Sequence, residues 1–251
     1  MQLLVTNDDG IQAVGLAALV KKLSSAAKIT VVAPDREMSA MSHAITVTRP
    51  LRVTEYLDFG SEVKAYAVDG TPSDCVKLAV DVLMEERFDI VVSGINCGPN
   101  LGTDVLYSGT VSGAIEGVIS GLPAIAVSAA SYEQCNYEQA AVFAAKLVGL
   151  VNKHGLPEDT LLNVNVPAPN GSAELPVRIT RLGKRRYVNV FDKRTDPRGR
   201  EYYWLAGDPQ DYHDDDCVDT AAVNQGYISV TPLYLDWTSN TLLSELKSWP
   251  F

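Results

Sequence analysis

Six short, mostly apolar runs separated by stretches of helical character constrain the fold of this chain more than any other feature. They are Leu3–Val5, Ile29–Ala33, Ala65–Val68, Ile90–Ser93, Ala124–Ser128 and Leu161–Val166. A strand with one wet face alternates apolar and polar side chains, whereas near-continuous apolar runs belong to strands buried on both faces. Helices are expected at Leu16–Ser24, Ser73–Glu86, Val111–Ser120 and Tyr137–Asn152. In the second of these, Val76, Leu78, Val80, Val82 and Leu83 give a mostly apolar face that ends in Glu85-Glu86-Arg87. Buried strands interleaved with helices predict an α/β fold: a Rossmann-like, mostly parallel sheet with helices on both faces. Ligands of such sheets bind beyond the carboxyl ends of the strands, at the switch point of the strand order.

The segment after the first run is Thr6-Asn7-Asp8-Asp9-Gly10. Neighbouring residues of a strand point to opposite faces, so Asp8 and Asp9 converge only if the strand has ended. Gly10 permits that turn. Two carboxylates at a buried strand end repel unless a donor or cation neutralises them. A hard cation held by oxygens, Mg²⁺ or Mn²⁺, is one reading. An Asx-turn with a helix cap ahead of Leu16 is the other.

Three further segments are expected at the same edge. Gly94-Ile95-Asn96-Cys97-Gly98-Pro99-Asn100 allows tight turns and offers Asn96 as a neutral oxygen donor. Asn96 and Asn100 as turn residues bonded to backbone explain it equally well. Tyr107-Ser108-Gly109-Thr110 precedes an apolar periodic segment and marks a helix start. The free N–H groups of such a start attract phosphate, with Gly109 allowing backbone approach and Ser108 and Thr110 adding hydroxyls. Capping alone accounts for the same residues. The loop Pro34–His43 supplies Ser39 as a hydroxyl donor to a metal, and Arg36 or His43 as partners for phosphate. In Asp69–Cys75 a capping-box variant explains Ser73 and Asp74, and Cys97 reads as a small apolar filler.

Beyond residue 177 the chain changes character. Arg178 to Arg200 holds nine of the 21 Lys and Arg residues, and the next stretch reverses sign with Glu201, Asp208, Asp211, Asp214, Asp215, Asp216 and Asp219. Alternating aromatics, among them Tyr187, Phe191, Tyr203 and Trp204, fit an extended hairpin. Gly226–Pro232 reads as a return strand and Asn240–Trp249 as a closing helix. The expected division is a metal- and phosphate-binding core over 1–177 and an arm, return strand and helix over 178–251. The arm would exchange with a partner subunit or lie as a solvated surface hairpin.

Composition narrows the function. A net charge of −10 argues against nucleic acid as a partner. Neither a membrane span nor a signal peptide is expected. The four cysteines, Cys75, Cys97, Cys135 and Cys217, include no C-x-x-C pair. They are expected to be reduced thiols of a cytoplasmic protein, with no zinc site.

Taken in order, T-N-D-D-G, A-P-D-R with its following serine, D-G-T-P-S-D-C-V, V-S-G-I-N-x-G-x-N, Y-S-G-T-V-S-G-A-I-E-G and G-Y-I-S-V-T-P-L closely resemble the SurE family. Those stationary-phase survival proteins are metal-dependent 5′/3′-nucleotidases. The resemblance implies one divalent metal per subunit, Mg²⁺ or Mn²⁺, on Asp8, Asp9, Ser39 and Asn96. It places phosphate on Asn96, Ser108, Gly109 and Thr110, and the reaction at Asp8, Asp9 and Asn96. It also implies nucleoside 5′- and 3′-monophosphates as substrates, polyphosphate trimming as a family activity, and homodimers or homotetramers with exchanged C-terminal elements. One departure stands out: the family commonly reads Ser-Gly where this chain has Ser39-Ala40, and alanine restricts that backbone.

Two rivals remain. An aspartyl-phosphate phosphatase also places acids after its first strand, but separates nucleophile and acid by one residue. A non-catalytic nucleotide sensor or Mg²⁺-dependent phosphoacceptor domain is the alternative from another class. The latter needs a lysine after a later strand, where this chain has Ala129-Ala130.

Overall fold

The computed structural model describes residues 1–83, 87–169, 171–172, 174–212 and 215–250. Glu85, Glu86 and Asp214, to which the sequence reading assigned roles, lie outside the described residues. Strands β1 (Gln2–Thr6), β2 (Lys28–Pro34), β3 (Val53–Glu55), β4 (Lys64–Val68), β5 (Ile90–Cys97), β6 (Ala124–Ala129), β7 (Thr160–Val166) and β8 (Val177–Ile179) form one sheet with a late strand, Ile228–Tyr234. Between β8 and that late strand lie β9 (Lys184–Val188), β10 (Phe191–Thr195), β11 (Glu201–Leu205) and β12 (Asp208–Tyr212), so the late strand is β13. The order across the sheet is β3-β4-β2-β1-β5-β6-β7-β13-β8. From β4 through β7 every pairing is parallel; β3 and β13 join antiparallel.

The apolar runs are strands because both faces are covered. Leu3 and Val5 face one core, with Leu16, Leu19, Val20 and Leu23 of α1 (Val14–Leu23) and Ala140, Ala144, Val148 and Val151 of a later helix, Tyr137–His154. Leu4 faces the other core, with Cys75 and Val76 of α2 (Pro72–Leu78) and Val111, Ala114 and Val118 of α3 (Gly109–Ile119). The helix Tyr137–His154 is therefore α4; α5 (Asp219–Asn224) and α6 (Asn240–Leu246) follow. The helix expected over Ser73–Glu86 is α-helical only to Leu78 and continues as a π segment over Ala79–Leu83. Hydrophobic spacing does not separate these two windings, and β3, three exposed residues at the sheet edge, has no core pattern to betray it.

The charged arm is a hairpin as read. β9 pairs with β12 and β10 with β11, both antiparallel. Its base is fixed by Arg185, whose guanidinium donates to Asp211 at 2.6 and 2.9 Å and to Asp104 at 3.1 Å. Burial alone would lower the Arg185 pKa, but the two carboxylates outweigh it and hold the cation firmly charged. Asp104 also accepts from the Tyr187 hydroxyl at 2.7 Å; burial first and that bond second push Tyr187 up to about 12. The outer half, with Phe191, Tyr203, Trp204 and Leu205, is exposed.

Candidate active site

β1 ends at Thr6, and the next four residues form the turn that Gly10 makes possible. Asn7 Nδ2 donates to the Gly10 carbonyl at 2.9 Å. Gly10 sits at φ +97°, and a Cβ there would lie 3.0 Å from the Arg36 backbone. The loop after β2 closes over the turn as the Met38 N–H donates to the Asp8 carbonyl at 2.7 Å.

Asp8 points into the start of α3. It is buried, and its Oδ1 accepts from the Thr110 hydroxyl. A Cβ on Gly109 would lie 2.7 Å from Asp8 Cβ and 2.9 Å from its Oδ2. Glycine is therefore required for helix and carboxylate to approach this closely. Asp9 is half-buried and turns toward β5, where it accepts from the Cys97 N–H at 3.1 Å.

Burial pushes Asp8 up to about 6; the Thr110 hydroxyl bond opposes that rise and the Asp9 charge adds to it. Burial also raises Asp9, opposed by the Cys97 N–H and aided by the Glu37 charge. The charges acting on the pair are thus negative. Asn7 Oδ1 is buried with no hydrogen-bond partner among the described residues. Crowded carboxylates beside a neutral oxygen lacking a donor suit a divalent cation. Among the described residues no three His, Cys, Asp or Glu side chains gather as a metal cluster. The donors here are two carboxylates and neutral oxygens, the set a hard cation takes while retaining waters.

The other residues divide. Asn96 is the penultimate residue of β5, next to the Cys97 whose N–H holds Asp9, and its Nδ2 donates to the Gly98 carbonyl at 2.8 Å, so the turn uses the nitrogen and leaves Oδ1 to accept. Ser108 is the N-cap of α3: its Oγ accepts from the Val111 N–H at 3.0 Å. Both hydroxyls read as phosphate donors are thus engaged, Ser108 in capping and Thr110 on Asp8. What the helix start still offers is the Gly109 N–H, the Thr110 N–H that also acts on the Asp8 carboxylate, and their positive dipole end. Ser39 donates to Glu37 Oε1 at 2.9 Å and is exposed. It lies one residue beyond Met38, and Ala40 adopts φ +57°, a left-handed angle that favours glycine.

Several companions take structural places. His43 Nε2 sits 2.9 Å from Glu116 Oε2, and Arg36 lies 3.5 Å from Asp35. Thr71, not Ser73, is the capping residue of α2, in a reciprocal box with Asp74. Asn100 joins a buried amide network with Ser128, Asn163 and Asn165. The expectation of four reduced cysteines is corrected. Cys97 and Cys135 are joined by a disulfide, while Cys75 and Cys217 are free. Sequence spacing misses the pair because the two residues stand 38 apart and meet only where the ends of β5 and β6 adjoin. Tyr137 was likewise read only as a helix residue. Its ring packs near Gly15, and its pKa is raised by burial and then by the charge of Asp9.

Comparison with known proteins shows which family this chain belongs to. The sequence profile of the family described as "Survival protein SurE" matches residues 3–189. The "5'-nucleotidase SurE" of Desulforamulus reducens is 51% identical over 251 residues, covering 99% of this chain and 98% of that protein. The protein of the same description from Pelotomaculum thermopropionicum is 53% identical, covering 98% and 94%. The crystal structure of SurE protein from Aquifex aeolicus superposes with a TM-score of 0.86 at 43% identity, covering 98% of each chain.

Proposed function

Because this chain belongs to the SurE family, we propose that it is a 5′-nucleotidase, a divalent-metal-dependent phosphomonoesterase that releases phosphate from nucleoside 5′- and 3′-monophosphates. The observation that carries this reading is the burial of Asp8 against the N-terminus of α3, with Asp9 beside it and no side chain at Gly109 to fill the gap. A carboxylate is costly there, and the cost is explained if the pair exists to hold a cation next to a phosphate.

Asp8 and Asp9 would hold the cation as charged ligands, with Asn96 Oδ1 and the Ser39 hydroxyl as neutral ones. Ser39 reaches that role by exchanging its bond to Glu37. A bound Mg²⁺ or Mn²⁺ supplies Lewis acidity toward a phosphoryl oxygen and lowers the pKa of water. The first N–H groups of α3, at Gly109 and Thr110, face the phosphoryl oxygens and stabilise the charge that builds on them. Thr110 fixes the Asp8 carboxylate, and the Cys97 N–H fixes that of Asp9. Asp9, the more exposed of the two, orients the attacking water and takes its proton.

Phosphate release from 5′- and 3′-nucleotides and short polyphosphate, with EDTA-treated protein and added Mn²⁺ or Mg²⁺, tests the reading. Metal-dependent release that disappears in Asp9→Asn is expected. Equal release in EDTA would overturn it.

The proposal extends to the assembly. α6 buries none of its residues, and Trp237, Leu242, Leu243 and Trp249 are exposed. An apolar groove of about 470 Å³ lies on the same molecule, lined in part by Leu106, Ile115, Leu182 and Leu233. A second copy of the chain, exchanging residues 235–250, covers both surfaces at once. On this reading residues 1–177 provide the chemistry, and 178–251 return one strand to the sheet and otherwise join subunits. Sedimentation of a chain ending at residue 234 should give monomer; an unchanged dimer or tetramer would refute the exchange. Among the described residues no helix is long and apolar enough to cross a membrane, and the cytoplasm is the proposed compartment, to be checked by fractionation.

A further inference from the structure

The Cys97–Cys135 bridge lies next to the candidate metal ligands rather than at a distant surface. Cys97 is the last residue of β5, adjacent to Asn96, and its N–H donates to Asp9 Oδ2 at 3.1 Å. Cys135 lies in the loop from β6 to α4, two residues before Tyr137, whose hydroxyl feels the Asp9 charge. The same loop places the Tyr132 ring against Gly98, where an added Cβ would come within 2.3 Å of it. Loop 131–136 therefore touches the strand end that positions Asp9 from two sides, and the bridge is the covalent link between them. Both cysteines are half-buried, so a small thiol reagent can reach them. The sulphurs lie 3.9 Å (Cys97) and 2.9 Å (Cys135) from the Ser131 carbonyl, which would accept from either thiol once the bridge opens.

We propose that Cys97 and Cys135 are a reversible thiol–disulfide pair whose oxidation locks loop 131–136 onto the end of β5 and strengthens divalent-metal binding at Asp8 and Asp9. The proposal rests on the metal reading above. The chemistry is exchange with a small disulfide such as oxidised glutathione. One cysteine thiolate attacks a glutathione sulphur, and the first glutathione leaves as thiolate. The second cysteine then attacks the mixed disulfide, and the second glutathione leaves. Two electrons pass from the cysteine pair to the reagent, and the two thiol protons end on the released glutathiones. A dithiol reverses the sequence. In a reducing compartment a persistent bridge is uncommon and a switching pair is the usual form.

Oxidation fixes the backbone that donates to Asp9, in the way that groups hydrogen-bonded to metal ligands commonly set affinity, with an effect of about tenfold. The test uses the full chain treated with oxidised glutathione or with a phosphine reductant, then desalted. Thiols are counted after denaturation, and Mn²⁺ affinity is measured by calorimetry for wild type, Cys135→Ser and Cys217→Ser. Support is a fall of two titratable thiols on oxidation together with Mn²⁺ binding about tenfold tighter. Cys135→Ser should stay at the reduced affinity under both treatments, whereas Cys217→Ser should respond as wild type does. Four thiols after both treatments, or equal Mn²⁺ affinities, would overturn the proposal. Mn²⁺ binding in neither state would sink the metal reading and the coupling with it, while the thiol count would still decide whether the pair forms.

Discussion

Replacing Asp8 by Asn should stabilise the metal-free protein while ending its activity. The carboxyl is buried and its pKa is displaced from 3.8 to about 6. A carboxyl whose native pKa is raised binds its proton more tightly in the folded state, so ionisation opposes folding. The cost is absent below pH 3.8, grows as pH rises, and is fully present above about pH 6. Two pKa units correspond to about 3 kcal/mol. Asparagine keeps an oxygen for the Thr110 hydroxyl, carries no charge and no longer repels Asp9. Allowing for imperfect amide packing, a net gain of about 2 kcal/mol is expected, or about 4 °C in Tm for a chain of this length. Thermal unfolding of both proteins in EDTA at pH 7.5 measures it, and repeating the scans toward pH 4 should close the gap. Mn²⁺ at a hundred times its Kd should raise wild-type stability by about 2.7 kcal/mol and leave the variant unmoved. A variant no more stable than wild type at pH 7.5, or a gap that persists at pH 4, would refute the reasoning. Either result would mean that the Asp8 environment does not penalise charge.

Gly109→Ala should lower kcat/KM by about a hundredfold, because its Cβ displaces Asp8 from the helix start by the order of an ångström; steady-state phosphate release is the assay, and a change under threefold would refute it. Arg185→Met strands Asp104 and Asp211 at the base of the arm and should cost about 3 kcal/mol, read as a fall in the urea midpoint with unchanged m-value. Ala40→Gly removes a left-handed alanine and should gain about 0.5 kcal/mol after glycine's larger unfolded-state entropy is counted. A lower Tm in that variant would show that the alanine is not strained.

The parallel sheet was legible because burial on both faces imposes a pattern of apolar runs that little else produces. The segments that meet at the candidate site were legible one by one, since acids after β1 and a small-residue helix start after residue 107 are local signals. Their roles were harder to read. Nothing in the spelling of Ser108 and Thr110 distinguishes a hydroxyl facing a ligand from one that caps a helix or holds Asp8; that depends on an approach between segments 102 residues apart. The Cys97–Cys135 bridge was hidden for the same reason. The π segment was invisible because only Ala79 of its five residues is buried and Val82 faces solvent, so no apolar spacing marks the change of winding.

The position of β1 in the middle of the sheet has a consequence for how the protein is made. Asp8 and Asp9 are synthesised well before the elements that shape them, because the end of β5 and the start of α3 follow 88 and 102 residues later. At ribosomal speeds of about 5–20 residues per second, the acidic pair exists for roughly 5–20 s before the partners that shape it emerge. The nascent chain thus carries its most charge-sensitive residues while it has no means of using them. Competence arrives late and all at once, when the downstream half of the sheet docks.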